Sequence, residues 1–159
     1  MKEKIKIYLS ASITNKENNK YICSKFNPDK FLIYLPQNIT PDSISHTNFP
    51  LTVYQNCLEM MKNSDAGLIL LDSYGNDSAW ECGWYTNSDK FLIAFVESNS
   101  RFLRDWMIKG GIDGYITTNP RLYDIAKSDP ILKYKHLNLI NSIDEIEIAF
   151  LKIYKIIKN

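Results

Sequence analysis

Residues Ala66 to Leu71 form an unbroken apolar run, AGLILL, closed at its two ends by Asp65 and Asp72. A strand with one face in water alternates apolar and polar residues, whereas one covered on both faces reads as a continuous apolar run. This stretch therefore predicts a parallel strand inside an α/β sheet. Ile5 to Ala11, Phe31 to Leu35 and Lys90 to Val96 read the same way, and Gly114 to Thr117 supplies a shorter fifth strand. Helix-period segments lie between and after them. Tyr21, Ile22 and Phe26 mark Asn15 to Phe26, and Val53, Cys57, Leu58 and Met61 share a stripe on Leu51 to Lys62. Phe102 to Lys109 is expected to stop at Gly110-Gly111, and Arg121 to Ala126 and Ser142 to Ile157 follow, the last with Ile146, Phe150 and Ile153 facing inward. Strands alternating with helices predict parallel neighbours joined by right-handed crossovers.

With 159 residues, one domain spanning 1–159 is expected, long enough to bury a core. Lys and Arg number 19 against 18 acidic residues, so no overall field recruits a nucleic-acid polymer or an acidic membrane surface. Cys23, Cys57 and Cys82 form no CxxC pair and leave an odd thiol, which argues against a disulfide framework or a zinc site. The charged start, Met1 to Lys6, runs straight into a strand with no apolar leader, so a cytoplasmic protein without membrane insertion is expected.

In open α/β sheets, ligands bind beyond the carboxyl ends of the strands. Asp72 and the loop Ser73 to Asp77 occupy that place, with Gly75-Asn76-Asp77 turning the chain and Ser78 as the expected N-cap of the next helix. Glu81 then has two readings. Ser78-Ala79-Trp80-Glu81 matches a capping box, in which the Glu bonds back to its own helix end. Alternatively, Glu81 faces the crevice as an ionised nucleophile favoured by the helix dipole, with Asp72 and Asp77 converging on the same mouth. Either aspartate, raised in pKa by its acidic neighbours, is then a candidate general acid. Ser10-Ala11-Ser12 forms a second crevice loop, and Gln37 to Pro50, which holds His46, is a long aperiodic loop expected to act as a lid. No convergent His and carboxylate set calls for a metal, and no cofactor is expected.

The segment Asp77-Ser78-Ala79-Trp80-Glu81-Cys82-Gly83 resembles the nucleoside 2-deoxyribosyltransferase family, including its relatives that hydrolyse deoxynucleoside monophosphates. The resemblance runs from Ile7-Tyr8-Leu9 to Met107-Ile108-Lys109-Gly110 and fades after about Asn119. It implies a flavodoxin-like or Rossmann-like three-layer sandwich around a five-stranded, mostly parallel sheet. It further implies transfer of deoxyribose between nucleobases through a covalent Glu81 ester. Hydrolysis to free base, or a nucleotide-sensing module without turnover, are the alternatives. Tyr8 matches an aromatic residue that hydrogen-bonds the nucleophile, although a core tyrosine with a satisfied hydroxyl fits equally. Ser10, Ser12, Gly75, Ser78, Asp105 and Met107 are the implied substrate-binding positions. Asp105 stands where relatives that bind a 5′-phosphate carry Ser, so a free 5′-hydroxyl is the better partner, unless Asp105 simply pairs with Arg101 or Arg104. Cys57 stands where relatives often carry Asp or Asn, and reads as a packed core residue. The implied partners are small-molecule nucleosides and nucleobases, together with further copies of the chain in a homo-oligomer, a dimer or a trimer of dimers.

Overall fold

The computed structural model describes residues 3–39 and 49–159. The five apolar runs all become strands: β1 (Ile5–Ser10), β2 (Phe31–Tyr34), β3 (Ala66–Leu70), β4 (Phe91–Val96) and β5 (Gly114–Thr117). A sixth, β6 (His136–Leu139), extends the expected five-stranded sheet at one edge. The order is β2-β1-β3-β4-β5-β6, and every neighbouring pair is parallel. The helices are α1 (Lys16–Cys23), α2 (Phe49–Asn63), α3 (Asn76–Thr86), α4 (Trp106–Gly111), α5 (Pro120–Ser128) and α6 (Ile146–Lys158).

Because side chains alternate along a strand, the sheet builds two cores. On one face, Ile7, Leu9, Leu68, Ile93 and Phe95 pack with Phe26, Phe31 and the α6 side chains Ala149, Phe150 and Ile153. On the other, Tyr8, Ile69, Leu92 and Ala94 pack with Met61 of α2, Cys82 and Tyr85 of α3, Ile108 of α4 and Leu122 of α5. This is the expected three-layer α/β sandwich, with a flavodoxin-like strand order plus one edge strand.

Two local expectations change. The helix expected from Phe102 starts later: a 3₁₀ turn, Arg101–Arg104, precedes α4, which stops at the expected Gly110-Gly111, with Ile112 rather than a glycine as its C-cap. The glycine at 111 serves close approach: a Cβ there would lie 2.6 Å from Cys82 Sγ and 2.7 Å from Thr86 Oγ1, so α4 seats directly on α3. The long loop expected over Gln37 to Pro50 is also shorter at both ends. Pro36–Asn38 form a 3₁₀ turn, and α2 begins at Phe49. His46 and the rest of the expected lid, residues 40–48, lie outside the described residues. Among the described residues, no helix is long and apolar enough to cross a membrane.

Candidate active site

The strand order reverses between β1 and β3, since the chain leaves β1 toward β2 and later returns on the other side. Open parallel sheets bind ligands at such a switch point, outside the carboxyl ends of the strands. Glu81 stands there. The Tyr8 hydroxyl donates to its Oε1 and the Ser10 hydroxyl to its Oε2, each at 2.5 Å. Tyr8 and Ser10 are two residues apart on β1 and so project from the same face of the sheet. Each oxygen of one carboxylate is thereby held by a separate strand hydroxyl.

What brings Glu81 over β1 is the seating of α3. Tyr85, one turn beyond Glu81, is buried, and its hydroxyl meets Ser64 Oγ at 2.8 Å. Room for the Tyr85 ring comes from Gly67, where a Cβ would fall 2.9 Å from the ring and 2.7 Å from Leu92 Cδ1. Gly67 is also the register partner of Tyr8. A side chain at 67 would push α3 off the sheet, and Glu81 with it.

The helix starts earlier than the sequence suggests. Gly75 is the N-cap and accepts the first backbone bond, from the N–H of Ala79 at 3.0 Å. Ser78 therefore lies inside the first turn, buried, and does not cap it. This shift removes the capping-box reading of Glu81, which sits in the second turn and bonds to β1 rather than back to Ser78. It also moves the dipole argument to Asp77, the acidic residue in the first turn.

Burial pushes the Glu81 carboxyl above its ordinary pKa. The hydrogen bonds from Ser10 and Tyr8 oppose that rise, and the negative charge of Asp77 adds to it. Asp77 and Glu81 are four residues apart on one helix face, which accounts for the coupling. Tyr8 is fully buried, and its phenol is driven strongly upward by burial and then by Glu81, so it remains a protonated donor. Cys57 of α2 lies beside Tyr8 and feels the charges of Glu81 and Asp77. It is thus part of the site as well as a packed residue. Burial raises its thiol pKa, keeping it neutral.

Not all the expected residues converge. Asp72 accepts the backbone N–H groups of Glu97 at 2.7 Å and of Ser98 and Asn99 at 2.8 Å, with the Ser98 hydroxyl at 2.9 Å. It anchors the loop after β4, and its acceptor positions are taken up there. Ser12 pairs with Thr14 at 2.8 Å in the loop after β1. Asp105 receives the Tyr74 hydroxyl, not an arginine, while Arg101 lies over the Tyr74 ring at 5.3 Å. Asp105 and Met107 line a groove of about 670 Å³ between α3 and α4 that does not include Glu81, and Met107 is 87% exposed. Gly75 borders the same groove. Sequence reasoning missed Ser10 as a partner of Glu81, although its two-residue spacing from Tyr8 carried the signal. It also missed the place of Cys57 beside Tyr8, for which the signal was the Asp or Asn that relatives often carry at that position. Among the described residues, no three His, Cys, Asp or Glu side chains gather as a metal-holding cluster.

Neither protein-family profiles nor curated proteins give a match to this chain. Among solved structures it is similar to a 2-deoxyribosyltransferase from the psychrotolerant bacterium Bacillus psychrosaccharolyticus, a biocatalyst for the synthesis of antiviral and antitumoral nucleosides. The two superpose with a TM-score of 0.54 at 23% identity, over 69% of this chain and 84% of the other. What this chain shares with that transferase is its fold.

Proposed function

We propose that the chain cleaves the N-glycosidic bond of 2′-deoxynucleosides and passes the deoxyribosyl group to a second nucleobase through an ester on Glu81. One observation carries this reading: a half-buried carboxylate at the switch point of a parallel sheet, gripped at both oxygens by hydroxyls of β1 and not by its own helix. The fold shared with a 2-deoxyribosyltransferase supports it.

In this mechanism a Glu81 oxygen bonds to the anomeric carbon as the bond from that carbon to the base nitrogen breaks, through an oxocarbenium-like transition state. The departing base takes a proton from Asp77, the exposed acid one turn before Glu81. Asp72, committed to the β4 loop, anchors the site wall. A second base then attacks the same carbon, gives its proton to Asp77, and frees the Glu81 carboxylate. Tyr8 and Ser10 fix the carboxylate in line and donate to whichever oxygen carries charge. Asp105 and Met107, outside the Glu81 shell, reach a sugar across a subunit boundary in a homo-oligomer.

The test is product analysis with one deoxynucleoside donor, with and without a second base. The new deoxynucleoside should form only with the acceptor, and release of free base should rise with acceptor concentration. Free base released at one rate in both reactions would remove the transferase reading and leave hydrolysis.

Because Glu81 attacks only when ionised, activity falls as pH drops through its raised pKa. Ser10→Ala removes a hydrogen bond that lowers that pKa, so the acid limb of the kcat profile moves to higher pH. A limb that stays in place or moves to lower pH would contradict this assignment.

A further inference from the structure

The loop after β1 and the turn after β2 are joined by a single buried amide. Asn19 of α1 is 3% exposed, and its Nδ2 donates to the Ser12 carbonyl at 3.0 Å and to Gln37 Oε1 at 2.8 Å. Gln37 donates in turn from Nε2 to the Lys16 carbonyl at 3.2 Å. These bonds set the orientation of both amides, since turning Asn19 end for end would aim its oxygen at two acceptors. Its Oδ1 is left buried without a hydrogen-bond partner among the described residues. An unpaired buried acceptor costs free energy, so an apolar residue at this position would suit α1 itself better. The gain from the amide therefore lies in what it connects. Ser12 is two residues beyond Ser10, whose hydroxyl holds Glu81, and Gln37 lies in the 3₁₀ turn that follows β2.

We propose that Asn19 is a positioning residue, which holds residues 11–15 against the turn after β2 and so preforms one wall of the Glu81 site for substrate capture. The assignment rests on Glu81 being the sugar-binding nucleophile. Asn19 touches neither Glu81 nor the sugar, so its effect falls on capture and leaves chemistry and ionisation alone.

Asn19→Leu keeps the branched shape of the side chain and removes the amide. It should raise KM for the deoxynucleoside about tenfold, a loss on the scale of the hydrogen bonds removed, while kcat and its acid limb stay in place. Amide hydrogen exchange should quicken in 11–15 and 36–39 and stay slow in β1 and β3. Gln37→Ala should do the same to a smaller extent, and should add little to Asn19→Leu because both break one network. Unchanged KM and unchanged exchange in Asn19→Leu would overturn the proposal, as would a fall in kcat with a moved acid limb. If Asn19→Leu does not fold, Gln37→Ala decides by the same readouts. If the parent shows no turnover, the reading of Glu81 fails, while the exchange measurement alone still judges Asn19.

Discussion

Glu81→Gln should abolish turnover while leaving the fold intact. The loss in kcat is expected to be on the order of 10⁴-fold or more, the scale on which removal of an enzyme nucleophile is felt. The variant keeps an oxygen to accept one β1 hydroxyl and places an N–H₂ near the other, which can rotate to accept. Its stability follows from the sign of the Glu81 shift. A carboxyl whose folded pKa is raised contributes stability below its unfolded pKa, about 4.3 for Glu, and loses it as pH rises through the folded pKa. At neutral pH the parent therefore carries the cost of an ionised, desolvated side chain that Gln does not. Thermal melting at neutral pH should show the variant as stable as the parent or more so, with parent and variant converging in acid. Turnover within tenfold of the parent would show that Glu81 is not the nucleophile.

The second large effect concerns stability. Lys109 of α4, 3% exposed, donates to Asp129 Oδ2 at 2.6 Å, and Asp129 Oδ1 accepts the N–H groups of Ile131 at 2.9 Å and Leu132 at 3.0 Å. Burial works against ionised Asp129, but the Lys109 ammonium and those two N–H groups hold its carboxyl below the usual range. That contribution is present above the unfolded pKa and is lost as pH falls through the folded one. Lys109→Met leaves a partly buried carboxylate without its counter-ion, at a cost of about 3 kcal/mol. In a domain of this size that lowers the melting temperature by roughly 10 °C. Adding Asp129→Asn should recover part of the loss, because Asn keeps an acceptor for the two N–H groups without a charge. A melting point unchanged in Lys109→Met, or no recovery in the double variant, would contradict this account. The pair matters to the site because α4 seats on α3 through Gly111, and α3 carries Glu81.

Much of this architecture is legible in the amino-acid order, and the exceptions share a cause. The AGLIL of β3 is buried at every position, and covering on both faces leaves an unmistakable apolar run. Strand β6, His-Leu-Asn-Leu, has no buried residue; it is an edge strand defined by pairing with β5, which no local pattern encodes. The start of α3 was misplaced because Ser78 is the better N-cap by propensity, whereas docking of Tyr85 into the space over Gly67 goes with a helix that begins at Asn76. Gly111 ends α4 and is also a contact point, and only three-dimensional neighbours show what its missing Cβ avoids. Within the site, Tyr8 and Glu81 could be paired through the family resemblance. The engagement of Asp72 by the β4 loop depends on backbone N–H groups 25 to 27 residues away, and those carry no sequence signature.

The most direct test of the central claim is to trap the sugar on the protein. The parent chain is incubated with a 2′-deoxynucleoside and no acceptor base, quenched in acid, digested and mapped by mass spectrometry. A deoxyribosyl group on the peptide containing Glu81, absent from Glu81→Gln, is the predicted result. Turnover with the sugar attached to a different residue, or with no adduct on that peptide at any quench time, would contradict it.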